Sequence, residues 1–409
     1  MVETRSHRDA EWIVVNTCTV THRADQQARQ AVRRFRRENP AARIAVTGCY
    51  AQRDPLGLAA LPGVDIVAGN ADKERLADLM AEAAGAGGAA VYCSALSGAR
   101  DFAPAGPGAG AGRTRPCVKI QDGCDGRCSY CIVPRVRGPE RSARPGEVLR
   151  LLGDLVGRGY REIVLAGINL GRYGRGLGEP VTLADLLERI LALPGLGRIR
   201  LSSIEPMHFD RALVRLAAGN PAVARHFHVP LQSGSDRILR HMRRPYGAAD
   251  FRELLCRIAD VIPEAGLGTD VMVGFPGESR EDFEATCALV AELPLSYLHV
   301  FPFSARPGTE AAGMGAPVPA AAVQERVAVL RQLSREKNLA FRRRMIGRTL
   351  PAITLAGRGR EGSTEVLTDN YIRARVPGVR LPSNRLVAVR IVEAGPESTT
   401  AVLCGYSGE

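Results

Sequence analysis

The sequence predicts an α/β protein made of two successive strand–helix series followed by an all-β tail. Three observations predict it. Short apolar strand candidates alternate with helical segments on both sides of residue 100. A glycine-, proline- and alanine-rich stretch separates the two series. From Gly347 onward, short strands follow one another between Gly, Pro and Asn turns. At 409 residues the chain exceeds one ordinary domain. The boundaries read as 1–84 for a first parallel α/β domain, 85–112 for a linker, 113–345 for a second α/β core and 346–409 for a small β-barrel.

Trp12-Ile13-Val14-Val15-Asn16 reads as a buried strand, and Arg23 to Arg37 as a helix ended by Asn39-Pro40. Ile44 to Gly48 and Val64 to Val67 are further strands, followed by a helix from Asp72 to Ala83. Gly85-Ala86-Gly87-Gly88 and Pro104 through Gly112 cannot pack a core and read as flexible linker. The second series has strand candidates at Val118–Gln121, Glu162–Ala166, Arg198–Ser202, His226–Val229, Thr269–Val273 and Leu298–Phe301. Helices such as the one carrying Val148, Leu151, Leu152 and Leu155 lie between them. His228 and His299 fall inside strands, where the ordinary reading is a satisfied core histidine. In the tail, Leu350–Leu355, Ser363–Thr368, Ile372–Val376, Leu386–Val392 and Thr399–Leu403 suggest a small barrel.

Net charge is +12, from 55 Lys+Arg against 43 Asp+Glu, which favours a polyanionic partner such as RNA. Positive charge concentrates at Arg29, Arg33, Arg34, Arg36 and Arg37 and again at Arg342-Arg343-Arg344; solvated helix faces explain such runs equally well. No apolar run approaches the roughly 18–20 residues that cross a bilayer, and Met1 opens no basic-then-apolar signal. No membrane partner and a cytoplasmic location are therefore expected. Ten cysteines in a chain of this length point to metal ligation more than to disulfides.

The chemistry concentrates in Cys124-Asp125-Gly126-Arg127-Cys128-Ser129-Tyr130-Cys131, directly after the first strand of the second series. Three thiolates spaced CxxxCxxC can hold three corners of a [4Fe-4S] cube and leave one iron open for a ligand, whereas ordinary ferredoxin sites use four cysteines. A zinc knot with a borrowed fourth ligand, or thiols that merely pack, are the alternatives. Two other cysteines, Cys18 in Asn16-Thr17-Cys18-Thr19 and Cys49 in Thr47-Gly48-Cys49-Tyr50, each end a parallel strand, where open α/β sheets bind ligands. They look like shared ligands of a second cluster.

The cysteine loop and its flanks resemble the radical S-adenosylmethionine (radical SAM) superfamily. That resemblance implies a partial (β/α)6 barrel for the second series and a 5′-deoxyadenosyl radical made at the Cys124, Cys128 and Cys131 cluster. It also implies that Tyr130, Gly167 and Asn169 in Ala166-Gly167-Ile168-Asn169, and Gly274 in Gly274-Phe275-Pro276-Gly277-Glu278, bind the cofactor. Glu205, Gln232 and Ser233 fall at strand ends where a ribose or substrate could sit. With the Cys18 and Cys49 segments, and a tail similar to the RNA-binding TRAM module, the chain resembles the methylthiotransferases. Lys119 to Cys124, His228-Val229-Pro230-Leu231-Gln232-Ser233-Gly234 and Arg243-Arg244-Pro245-Tyr246 look most like the branch that methylthiolates C2 of N6-threonylcarbamoyladenosine at tRNA position 37.

The resemblance implies two [4Fe-4S] clusters, S-adenosyl-L-methionine, the tRNA anticodon stem-loop as partner, and an electron donor such as flavodoxin or ferredoxin. Sister branches act on isopentenyladenosine in tRNA or on an aspartate of a ribosomal protein; a non-catalytic RNA-binding metalloprotein is the alternative of another class. The family pattern also places a third cysteine of the first domain upstream of Cys18, where Met1 to Thr17 has none. An in-frame upstream extension carrying a Gly-Cys pair is therefore expected; Cys93 or Cys117 as substitute is the alternative. Replacing Cys124, Cys128 and Cys131 together with alanine is expected to remove about one four-iron cluster and to abolish S-adenosylmethionine cleavage. Persistent 5′-deoxyadenosine in an anaerobic assay would contradict the assignment.

Overall fold

The computed structural model describes residues 4, 6–83, 88–96, 102–106, 114–315, 317–356 and 362–406. The chain divides into two compact units. One holds Met1–Arg100, Gly123–Glu140 and Ser304–Met314; the other holds Asp101–Asp122, Arg141–Phe303 and Gly315–Glu409.

The first unit is built on four parallel strands, β1 (Trp12–Thr17), β2 (Arg43–Gly48), β3 (Ile66–Ala68) and β4 (Ala90–Tyr92), in that spatial order. The helix His22–Glu38 starts where Thr21 accepts the Ala24 N–H and buries Ala28 and Val32. Its arginines are not one solvated face. Arg36 donates to the carbonyls of Pro40, Ala42 and Gly63 and pairs with Asp65, so it ties the helix to the sheet. Strand β4 lies inside the stretch expected as linker. Ala90-Val91-Tyr92 pairs with β3 despite its glycine-rich flanks, because the edge of a parallel sheet supplies the backbone partners. Of that stretch, Phe102 is buried and Ala105 bridges Lys119, while residues 85–87, 97–101 and 107–112 lie outside the described residues.

The second unit carries six parallel strands: β5 (Cys117–Lys119), β8 (Glu162–Ala166), β9 (Arg198–Leu201), β10 (His226–His228), β11 (Gly266–Val273) and β12 (Tyr297–Pro302). They form two three-stranded sheets, β5-β8-β9 and β10-β11-β12. An isolated parallel bridge pairs Ile199 of β9 with Val223, just ahead of β10. The short antiparallel ladder of β6 (Gln121–Asp122) and β7 (Arg141–Ser142) flanks the cysteine loop in the chain. Alternation of period two sorts the side chains. Ile199, Phe227, Val229, Leu267, Val271, Leu298 and Val300 join the core beneath the helices. The residues between them, Arg200, His226, His228, Asp270, Tyr297 and His299, line a cavity on the inner face. This is the partial barrel expected from the sequence.

Strands β13 (Thr349–Thr354), β14 (Ser363–Thr368), β15 (Arg373–Pro377), β16 (Leu386–Ala394) and β17 (Thr399–Tyr406) close the expected small barrel in the order β13-β14-β15-β17-β16. This barrel docks on the strand arc of its own unit. Arg200 donates to the carbonyls of Thr368 and Asp369, Arg225 pairs with Asp369, and the Asn370 amide donates to the Glu264 carbonyl. Arg342, expected with its neighbours as a basic face, is buried and caps the carbonyls of Gly395, Pro396 and Ser398.

Beneath the arc, Glu162 is fully buried and bonds Arg198 and Arg200 at 3.1 and 2.9 Å, with Arg115 at 3.5 Å. Burial alone would raise its carboxyl, but the coulombic and hydrogen-bond contributions of the three guanidiniums outweigh that and hold it below the ordinary range. A depressed pKa means that the stabilisation is full above 4.5 and fades as pH falls through the folded-state value. Glu162→Gln would strand buried guanidiniums and is expected to lower stability by about 3–5 kcal/mol at neutral pH. A denaturant midpoint equal to the parent's would contradict this.

Candidate active site

In the first unit, Gly123 opens the cysteine loop with φ +74°, and a β-carbon there would stand 1.9 Å from the Pro139 carbonyl oxygen. Only glycine lets the chain turn there. The Cys124 N–H donates to the Gly138 carbonyl and the Cys131 N–H to the Cys128 carbonyl, so the loop folds on itself. The Gly126 N–H points at the Cys124 sulfur, 3.3 Å away. Ser129 accepts the Ala311 N–H, and Tyr130 is half-buried in the adjoining turn. All three thiols are partly exposed. The helix Val133–Arg137 begins two residues after Cys131.

Cys18 is exposed just past β1, and Cys49 is buried at the start of the helix Cys49–Arg53. Gly48 before it has φ +100° and would clash with the Thr17 carbonyl if it carried a side chain. The Cys49 sulfur accepts a bond from Arg137 Nε at 3.1 Å, and Asn70 Nδ2 stands 3.6 Å away. Thr19, next to Cys18, bonds Asp25, and both bond Arg306. Arg306 is 1% exposed, yet its Nε and Nη1 have no hydrogen-bond partner, nor does Asn70 Oδ1. The two orphan donors of Arg306, which bonds the neighbour of Cys18, fit a sulfide-rich group that accepts hydrogen bonds; Asn70 Oδ1 is an acceptor. Sequence reasoning missed Arg137 and Arg306. Neither carries a periodic or spacing signal, and each matters only through contacts distant in sequence.

In the second unit the strand ends bring together Gly167, Asn169, Glu205, Gln232 and Gly274. Gln121 Oε1 accepts the Asn169 N–H at 2.8 Å, and a β-carbon at Gly167 would meet the Gln121 side chain at 2.9 Å. Asn169 Oδ1 and Gln232 Oε1 are buried without partners. Gln232 also holds a left-handed backbone, φ +70°, a conformation that costs a non-glycine residue energy and concentrates at ligand sites. Glu205 is clamped by Arg244, whose Nε donates to the Tyr246 hydroxyl, and that hydroxyl reaches the carbonyls of Pro230 and Leu231. The Gly274 N–H donates to Glu278 Oε2 at 2.7 Å. Ser233 is fully buried, and its hydroxyl bonds Thr286 and the Ser235 N–H. The two orphan acceptors fit a ligand that donates hydrogen bonds, such as an amino group.

The inner face of the arc encloses a cavity of about 670 Å³. His228 and His299 belong to its wall and not to the apolar core, because the period-two alternation turns them toward the open side of the arc. Asp270 Oδ1 lies 3.0 Å from His228 Nε2 and 3.3 Å from His299 Nδ1. The Tyr297 hydroxyl lies 2.8 Å from His226 Nε2 and 3.2 Å from His228 Nδ1. Burial would raise the Asp270 carboxyl, but the bonds to both histidines hold it well below the carboxylate range. Burial, with Arg200 nearby, pushes His226 far below 6.5, so its ring is neutral. Tyr371, from the turn between β14 and β15, stacks on His226 at 4.1 Å and has φ +76°.

Comparison with known proteins gives two family matches, and the radical SAM match takes in the cysteine loop of the first unit. Residues 118–290 match the radical SAM superfamily, and residues 1–69 match the uncharacterized protein family UPF0004. A radical SAM methyltransferase of Kitasatospora setae has a similar structure, with TM-score 0.53 at 16% identity, over 71% of this chain and 61% of that one. That likeness concerns the fold alone. The threonylcarbamoyladenosine tRNA methylthiotransferase of Bacillus subtilis is 36% identical over 94% of this chain and 86% of its own length. Its Aquifex aeolicus counterpart is 35% identical over 91% and 88%. The tRNA-2-methylthio-N(6)-dimethylallyladenosine synthase of Parafrankia is 38% identical over 87% and 72%. The core is thus that of a radical SAM enzyme, whose cofactors are a [4Fe-4S] cluster and S-adenosylmethionine. Within that superfamily, the chain belongs to the radical SAM methylthiotransferases.

Proposed function

We propose that the protein methylthiolates C2 of N6-threonylcarbamoyladenosine beside the tRNA anticodon. The observation that carries this reading is the polarity of the cavity. Its wall presents His226, His228, Asp270, Tyr297 and His299, and in this reading it receives the modified base. Most of these groups bond one another, but sealing an isopentenyl hydrocarbon against the wall would strip His299 Nε2 of water without returning a hydrogen bond, at about 1–3 kcal/mol. A threonylcarbamoyl group, with its N–H, hydroxyl and carboxylate, returns one. Relatives bearing the threonylcarbamoyladenosine name match over most of their length and support the same choice.

In this reading Cys124, Cys128 and Cys131 hold the cluster that engages S-adenosylmethionine, and the Gly126 N–H tempers the charge on one thiolate. Cys18 and Cys49 supply ligands to a second [4Fe-4S] cluster, with Arg137, Asn70 and Arg306 as hydrogen-bond donors around it. When bound, these cofactors supply one-electron chemistry at an unactivated carbon, which acid–base side chains cannot provide. Asn169, Gln232 and Gly274 bind and orient the methionine and adenine ends, and Arg244 fixes the Glu205 carboxylate toward the ribose. The β-barrel and the arginines left exposed grip the stem-loop, whose unstacked bases are open to readout. A flavodoxin or ferredoxin supplies the electron.

Mass spectrometry of tRNA nucleosides tests the reading. A deletion strain is expected to lose 2-methylthio-N6-threonylcarbamoyladenosine, to accumulate its unthiolated precursor, and to recover on complementation. Loss of the methylthiolated isopentenyl nucleoside in its place would contradict the assignment.

A further inference from the structure

The cavity wall contains a hydrogen-bonded chain whose direction can be assigned. Asp270 ionised is acceptor-only, so His228 Nε2 and His299 Nδ1 both carry protons directed at it. His228 Nδ1 then accepts from the Tyr297 hydroxyl, which in turn accepts from neutral His226 Nε2. Two ring nitrogens of the row are left over. His226 Nδ1 is buried without a partner. His299 differs: its side chain is 63% exposed, it lines the cavity, and its Nε2 has no protein partner among the described residues. An imidazole oriented by a half-buried carboxylate, with its other nitrogen presented to an open cavity, is a ligand-reading group.

The surroundings select the sign of the ligand. Arg115, Arg200 and Arg373 line the same cavity. Behind the wall, Arg115, Arg198 and Arg200 share the carboxylate of Glu162, Arg373 pairs with Glu365, and Asp270 stands in the wall itself, which leaves one positive charge in excess. Such a pocket favours an anion. Tyr371, strained at φ +76° and 42% exposed, adds an aromatic face from the β-barrel against which a planar carbamoyl or purine can lie.

We propose that His299, held by Asp270, reads the carboxylate of the target's N6 substituent and so sets the enzyme's choice among modified adenosines. This rests on the threonylcarbamoyladenosine reading above. His299 presents Nε2 to the threonyl carboxylate while Nδ1–H stays on Asp270, and the arginines supply the remaining field. A prenyl group offers nothing to this nitrogen. His299 is here a specificity-determining residue, remote from the bond changes themselves.

Binding of anticodon stem-loops to the anaerobically reconstituted holoenzyme tests it. Three loops differ only at the target: threonylcarbamoyladenosine, its threonyl methyl ester, and unmodified adenosine. The parent enzyme is expected to prefer the acid to the ester by about 10- to 100-fold, the range of a charge-assisted hydrogen bond. His299→Leu should erase that preference and bind unmodified adenosine as the parent does, and Asp270→Asn should reduce the preference. A His299→Leu enzyme that keeps the full preference would overturn the role of His299 and leave the substrate reading standing. A parent enzyme that binds an isopentenyladenosine loop better than the threonylcarbamoyl loop would overturn both. One tightly held non-cluster metal per chain, lost in Asp270→Asn, would also overturn the proposal, since the triad would then be a metal site.

Discussion

Six parallel strands do not close a cylinder, and this is the constraint on which the rest of the second unit depends. In a closed eight-strand barrel, side chains from every strand fill the interior. An open arc cannot fill its own inner face, and apolar residues left there would be exposed to water. The sequence answers with alternation: Phe227, Leu298 and Val300 turn to the helices, while His226, Tyr297 and His299 turn inward. The polar wall is thus a consequence of the missing strands as much as a device for substrate. Its floor is held by Glu162, and one of its three guanidinium partners, Arg200, also reaches the carbonyls of Thr368 and Asp369 in the β-barrel. One buried carboxylate therefore couples the arc to the small barrel and helps to set the charge of the cavity.

The first unit follows a different logic. Its thiols stand at strand ends and on a loop pinned by Gly123, and the polar groups around them are buried and incompletely satisfied. Arg306 is the clearest case. A fully buried guanidinium with two orphan nitrogens would be costly unless a ligand accepts from it. The segment carrying it, Ser304–Met314, returns to this unit from a distant part of the chain. Cluster-type chemistry needs such donors, because hydrogen bonds to sulfur tune reduction potential.

Much of this was legible in the sequence, and the exceptions have physical reasons. Strand Glu162–Ala166 falls where its run of apolar residues placed it, and the five tail strands follow their turn residues. The cysteine loop was legible because ligand spacing is local. Strand β4 was not, since Ala90-Val91-Tyr92 sits in a glycine-rich stretch and owes its conformation to β3. His228 and His299 were read as core residues because alternation says that two faces exist but not that one of them is open. Arg36 and Arg342 counted as surface charge, yet each spends its donors on backbone carbonyls. Composition cannot separate a solvated arginine from one that caps a chain. The cavity required six strands and a turn of the β-barrel to meet, which no local pattern encodes.

The most direct test of the account is a structure of the reconstituted enzyme with S-adenosylmethionine and a threonylcarbamoyladenosine stem-loop. The account predicts the N6 substituent inside the strand arc, its carboxylate within about 3 Å of His299 Nε2 and its planar portion against Tyr371. A substituent lying outside the arc, with the inner wall filled by water alone, would contradict it.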